Sequence, residues 1–308
     1  MTLKQVSEIL DLLDDPNVDG AKVARFFEKR VALRVEVETA KGDRGSTDFV
    51  KIVVPGERGR TRGGAAPTLG IIGRLGGLAA SQHQIGLASD ADGAIVALSC
   101  ALKIAEMKEK SYSLQGDVRI STHICPNAPI VHHDPVTFMG SPVDMATMNK
   151  CEVSSEMDAI LSVDTTRGNR IAKFKGFAIT PTILQGYILR VSEDLLDVCE
   201  RVTGRIPRVL PVTTQDLTPY ENGLYHINSI LQPSRATQAP VVGIALTSET
   251  VIPGSATGAN QIVDIEVATR FCIEAAKEYG KSKCKFYDPT EFATLLRLYG
   301  PMKHLCEF

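Results

Sequence analysis

The sequence predicts an α/β fold: three layers, α/β/α, around a mostly parallel mixed sheet, in one domain spanning residues 1–308. Two observations carry this expectation. Short β-branched runs alternate with stretches whose apolar residues recur every three or four positions, which implies strands covered by helices on both faces. Polar clusters also follow the apolar runs instead of interrupting them, and ligands of open α/β sheets lie beyond the carboxyl ends of the strands.

Taken in order, residues 3–14 and 19–31 read as amphipathic helices, an N-terminal pair within 1–31, with Asp19 placed to cap the second. VALRVEVET and TDFVKIVVPG read as strands separated by the turn-rich KGDRGS. The glycine-rich, basic ERGRTRGGAAP (57–67) reads as a solvated connection. TLGIIG is the next strand, and DGAIVALSCALKIAEMKEK is a helix with Lys108 and Lys110 at its carbonyl end. DVRIST (117–122) is a strand that runs into HICPNAPIVHHDPVTFMGSPVD, a loop with four prolines. MDAILSVDTTRG repeats the pattern, an apolar run ending at Asp164. ITPTILQGYILRVSEDLLDVCERVTG reads as a long helix, RIPRVLPV and APVVGIALTS as strands, and QIVDIEVATRFCIEAAKEYG as a helix. A short helical extension, 285–308, closes the chain.

Composition excludes several classes. A formal net charge of −2, from 34 basic and 36 acidic residues, offers no long positive field for nucleic acid. MTLKQVSEILDLLDD does not read as a signal peptide, and no apolar run reaches membrane-spanning length. Seven cysteines, odd in number and without a CxxC pair, suit free thiols in a reducing compartment. The expectation is a cytoplasmic protein with a small-molecule or short-peptide ligand and neither a nucleic-acid nor a membrane partner.

Three polar constellations fall at predicted strand ends: Asp90 with Asp92, the stretch His123 to Asp134, and Asp164 with Thr165, Thr166 and Arg167. Carboxylates and imidazoles suit zinc and related ions, so Asp90, Asp164 and His123 are the candidate metal ligands and the candidate catalytic groups. Asn127, His132, His133, Asp134 and Arg167 are candidate ligand contacts. Adjacent His132 and His133 point in different directions on an extended chain, so the histidine cluster as a whole is not expected to bind one ion. Cys125 is a candidate nucleophile only if a histidine lies beside it.

With SDADGAIVAL leading into a helix, then a strand, then AILSVDTT, the chain resembles the zinc-dependent exopeptidase superfamily, in particular its glutamyl-aminopeptidase-like co-catalytic members. GGAAPTLGIIG and VVGIALTSETVIPG occupy matching places in the order of elements. The resemblance implies the metallopeptidase catalytic core without its inserted domain, a homo-oligomer, and two divalent metals held by histidines and acidic residues. It would make Asp90 the bridging aspartate and Asp164 the aspartate ending a later strand. The superfamily's HxD segment falls here on Arg74, Leu75 and Gly76, its paired glutamates on Thr122, His123 and Ile124, and its last histidine near Thr257 or Gly258. Those replacements make this a divergent member. Two functions stay open: hydrolysis of a small amide, peptide or amino-acid derivative through a rearranged site with zinc or another divalent transition metal, or binding of a small acidic ligand, with Arg74 as its donor and no catalysis. A structural role is the remaining alternative.

Overall fold

Gln5, Val6, Ile9 and Leu13 recur at helical spacing and form the buried stripe of α1 (Leu3–Leu13); Val23, Phe27 and Val31 do the same for α2 (Gly20–Val31). The computed structural model describes residues 1–31, 33–74, 78, 87–132 and 134–305. Strand β1 (Val35–Gly42) turns tightly at Asp43 and Arg44 into β2 (Gly45–Val54). After β3 (Leu69–Gly73) comes α3 (Asp92–Glu109), whose buried residues surround the helix, as expected of one enclosed on every side.

β4 (Val118–Ile124) is followed by a small antiparallel pair, β5 (Ile130–Val131) and β6 (Phe138–Met139). A short helix, α4 (Met145–Glu152), begins where the Asp144 side chain accepts the Thr147 amide. The chain continues through β7 (Ala159–Thr165), β8 (Gly176–Ile179), β9 (Ile183–Leu184), β10 (Tyr187–Ile188) and α5 (Glu193–Thr203). It closes with β11 (Val241–Thr247), α6 (Ile262–Gly280) and α7 (Pro289–Tyr299).

Among the described residues the main sheet has nine strands in the order β1-β2-β4-β3-β7-β11-β9-β10, with β8 also on β11. Only β4, β3, β7 and β11 run parallel to one another; the ladders at both margins are antiparallel. The sheet is therefore mixed, with a parallel centre, and less parallel than the alternation of runs suggested. Residues expected to form one long helix, 179–204, instead supply β9, β10 and α5. Gln185 and Gly186 at positive φ (51° and 84°) turn the chain between the two short strands before Ser192 caps the helix. Of RIPRVLPV only an isolated bridge, Ile179 to Val209, is extended pairing.

One face of the sheet packs against α1, α2, α3, α5 and α6 through Ile52, Ile71, Ile120, Leu161 and Ile244. The other carries Ile72, Ile160, Val241 and Ala245 and is covered by α4 and the irregular segment 205–240. The layers are thus α/β/α. No described helix is long and apolar enough to cross a membrane.

The start of α3 sits directly on the sheet. A Cβ on Gly93 would come within 2.6 Å of the carbonyl oxygens of Arg74 and Val163, and one on Gly73 within 2.3 Å of the Gly93 oxygen. Backbone carbonyls on strands cannot retreat as a side-chain tip can. Gly93→Ala should therefore destabilise the fold by about 1–3 kcal/mol through overpacking. Urea unfolding checks this, and an unchanged midpoint would mean that helix and sheet are not so closely apposed.

Candidate functional site

The parallel register aligns charges at the sheet's carboxyl edge. Gly73 pairs with Thr122 on one side and Val163 on the other, and the Arg74 amide continues the ladder onto the Val163 oxygen at 2.8 Å. His123, Arg74 and Asp164 consequently form one row across three neighbouring strand ends. They lie on the face covered by α4. Two strand spacings, about 10 Å, separate the backbones of His123 and Asp164, with the arginine between them.

A residue of α4 joins the first two. Glu152 receives Arg74 Nη1 at 2.5 Å on Oε2 and faces His123 Nδ1 at 3.0 Å through Oε1. Asn149, one helical turn earlier, accepts from Arg74 Nη1 at 3.0 Å. Arg74 and Glu152 have no exposed side-chain surface. Burial pushes the Glu152 carboxyl up, but Arg74 and His123 together outweigh it and hold the group below its ordinary range. His123 also packs edge-on against Phe49, with ring centroids 5.5 Å apart.

On the other side of the row, Asp164 meets the loop that leads into α3. Thr165 Oγ1 and Arg167 Nη1 donate to the Ser89 carbonyl at 3.2 and 3.3 Å, which ties the end of β7 to Asp90. The glycine-rich segment 251–260 braces the same loop: Ser89 and Asp90 donate their amides to Ala256 and Gly254. Asn260 donates to Asp92 Oδ1 at 2.7 Å. Arg167 Nη2 lies 2.5 Å from Asp92 Oδ2; the pair is a charge contact and is not aligned as a hydrogen bond.

Both oxygens of Asp164 accept hydrogen bonds, Oδ1 from the Thr165 amide at 2.7 Å and Oδ2 from Ser229 Oγ at 2.8 Å. Asp90 differs. Its Oδ2 is buried and has no hydrogen-bond partner among the described residues. Burial raises Asp90 well above the usual carboxyl range, and the negative charges of Asp164 and Asp92 add to it against the pull of Arg167. Burial likewise lifts Asp164 to about 6, opposed by Ser229, Arg74 and the Thr165 amide. Asp92 reaches about 6 for the same reason, opposed by Arg167 and Asn260. Four carboxyl groups, Asp90, Asp92, Glu152 and Asp164, thus share an enclosure with two guanidiniums.

The histidine-rich loop turns away from this cluster. Asn127, His132 and Asp134 are exposed, and Asp134 pairs with the equally exposed Arg170 at 3.2 Å. His133, Leu75 and Gly76 lie outside the described residues. Cys125 is buried, and burial pushes its thiol up to about 11, which leaves little thiolate to act as a nucleophile. Residues that sequence reasoning passed over complete the site: Asn149 and Glu152 on α4, and Ser229 and Tyr220 in the segment after α5. Asp144, three residues before Thr147, was the available helix-start signal for α4. Segment 213–229 offers no periodicity that would have placed Tyr220 or Ser229.

Among the described residues, no group of three or more His, Cys, Asp or Glu side chains is placed to hold a metal ion. The expected ligands Asp90, Asp164 and His123 are divided by Arg74, and the His123 Nδ1 and Asp164 Oδ2 atoms are already engaged. These residues do not fit a two-metal centre of the kind the resemblance implied. The described surface groove between residues 188–194 and α7 is lined by none of the site residues.

The family described as "Protein of unknown function (DUF1177)" matches residues 38–308, a span that contains every residue of this cluster. No curated protein matches the chain.

Two stability measurements probe the cluster. Arg74→Met strands the Glu152 charge and should cost about 3–5 kcal/mol, whereas adding Glu152→Gln should recover part of the loss; equal losses in single and double variants by urea unfolding would disprove the pairing. Asp90 acts in the opposite sense. Because its folded-state pKa is raised, the folded chain binds more protons than the unfolded one above the ordinary value of 3.8, and stability declines as pH rises from there. Asp90→Asn should therefore be more stable than the parent at pH 7, with the difference vanishing below the ordinary carboxyl range. A gap that stayed constant with pH would contradict the raised pKa.

Proposed function

We propose that this chain, which belongs to the DUF1177 family, hydrolyses a small amide, short peptide or amino-acid derivative by general acid–base catalysis between Asp164 and Asp90. The observation that carries the reading is the unequal treatment of two buried neighbouring carboxyls at the carboxyl edge of the sheet. Asp164 is solvated on both oxygens by donors and suits the charged form; Asp90 has an oxygen without a partner and suits the protonated form. Environments that drive paired carboxyls apart assign one as base and the other as acid.

In this scheme Asp164 removes a proton from water as its oxygen bonds to the substrate carbonyl carbon. The C–N bond then breaks, and the leaving nitrogen takes the proton of Asp90. Return of the proton from Asp164 to Asp90 restores the pair. Arg74 Nε and Asn149 Nδ2, both buried without partners among the described residues, supply donors for the oxyanion that develops between these steps. The sequence resemblance to the exopeptidase superfamily suggests an amide as the substrate class, while the donor arrangement favours catalysis without its metals.

A panel of N-acyl amino acids, dipeptides and simple amides assayed with purified protein tests the proposal. Asp164→Asn and Asp90→Asn should each lose about 10²–10⁴-fold in turnover. The rate should fall as pH drops through about 6, where Asp164 protonates, and fall again on the alkaline side as Asp90 ionises. Chelator should leave it unchanged. Turnover that appears only with added zinc, manganese or cobalt would overturn the metal-free scheme. The same free donors on Arg74 and Asn149 favour a second reading, in which the site holds a small acid without reacting; binding of a carboxylate with no turnover across the panel would select it.

A further inference from the structure

Arg74 carries only N–H donors and a charge it cannot lose, so every polar side chain that bonds to it must turn an acceptor toward it. Asn149 does so through Oδ1, which receives Nη1 at 3.0 Å. That fixes the amide nitrogen on the other branch, and this Nδ2 is buried with no partner among the described residues. Glu152 does so through Oε2, and neither it nor Arg74 has exposed side-chain surface. A neutral Glu152 would leave the guanidinium buried with no carboxylate in contact, a state that buried charges do not tolerate. Glu152 is therefore ionised.

The constraint passes on to His123. An ionised carboxylate offers only lone pairs, so the 3.0 Å contact between Oε1 and His123 Nδ1 requires the hydrogen to sit on Nδ1. The alternative, a glutamic acid donating to Nδ1, is the state that Arg74 rules out. In the neutral ring Nε2 is then the nitrogen with the lone pair. It has no hydrogen-bond partner among the described residues. One ion pair thus sets the sense of three unspent groups: the donors Arg74 Nε and Asn149 Nδ2, and the acceptor His123 Nε2.

Their order along the sheet edge decides what the acceptor meets. His123 and Arg74 stand on adjacent strand ends, about 5 Å apart, and Asp164 stands one strand beyond Arg74. Asp90, which gives its proton to the leaving nitrogen in the proposed reaction, is tied to the Asp164 side through Ser89. With the carbonyl oxygen on the Arg74 and Asn149 donors, the leaving group occupies that side and the acyl group extends toward His123. We infer that His123 is the specificity-determining residue of this site, and that its Nε2 accepts a hydrogen bond from an uncharged N–H or O–H on the carbon next to the substrate carbonyl. An ammonium is disfavoured there, because it would bring a further positive charge beside Arg74, whose carboxylate is already matched. The substrates are then α-hydroxyacyl or N-acylaminoacyl amides, and a plain acyl amide would leave the acceptor unpaired. This rests on the acid–base reading above and adds the substrate feature which that reading leaves open.

Lactamide and propanamide, which differ only in the hydroxyl on that carbon, test it on the full chain. Ring-nitrogen NMR of the parent at about pH 8, above the ordinary histidine range, should show the His123 hydrogen on Nδ1 before any probe is added. In an Asp164→Asn background, where neither probe is consumed, lactamide should shift the Nε2 signal and propanamide should leave it in place. Lactamide should also bind about five- to tenfold more tightly, the effect of one hydrogen bond. His123→Phe, which keeps a ring against Phe49, should bind the two alike. A hydrogen found on Nε2, a lactamide preference of the same size in His123→Phe, or no lactamide binding would each overturn the inference. Turnover of the amide panel with no preference between the probes would leave the hydrolase reading without this contact; a preference that depends on His123 with no turnover would leave the contact and remove the hydrolase reading.

Discussion

Charge burial at the carboxyl ends of four parallel strands governs this molecule. Arg74 and Arg167 are buried, and each is matched by one carboxylate, Glu152 and Asp92. An isolated buried charge would be untenable, so each guanidinium fixes the element that carries its partner. Through Glu152, Arg74 holds α4 over the sheet; through Asp92, Arg167 holds the start of α3 against the end of β7. What remains after these pairings is Asp90 and Asp164, two carboxyls with no guanidinium of their own. A proton on Asp90 would resolve the excess negative charge, and in the proposed reaction it is the proton that the leaving nitrogen takes.

The scaffold explains why the pair sits where it does. β3 hands the chain to α3 on one face, while α4, between β4 and β7, crosses the other, so the ends of β3 and β7 lie between two helical layers. Open α/β sheets place their ligands at such points of divergence. Gly73 and Gly93 allow α3 to start close enough to the sheet for Asp90 and Asp164 to interact. The price is stability: carboxyls whose ordinary ionisation is suppressed weaken the fold at neutral pH, a common mark of a functional site.

Much of the fold was legible in the sequence because its long elements obey their periods. The N-terminal helices, the first hairpin, α3, β7, β11 and α6 all stand near their expected positions. Segment 179–204 was misread because apolar spacing alone does not separate a helix from two short strands joined by Gln185 and Gly186. Asp90 and Asp164 were visible as candidates, since polar residues ending apolar runs are conspicuous, and Arg74 entered through the resemblance that set it in the place of the HxD segment. Their partners were not. Glu152 lies at the end of an eight-residue helix, and Ser229 reaches Asp164 from 65 positions away. The histidine-rich stretch illustrates the converse: density of functional residue types along a chain says little about convergence in space, and beyond the buried Cys125 its polar residues Asn127, His132 and Asp134 face solvent.

The most direct test of the central claim is the infrared spectrum of the full chain at pH 7, read in the region where a protonated carboxyl C=O stretches apart from carboxylates. A buried carboxylic acid band should be present in the parent and lost in Asp90→Asn, while Glu152→Gln leaves it in place. A parent spectrum showing only ionised carboxylates at that pH would contradict the proton on Asp90 on which the account depends.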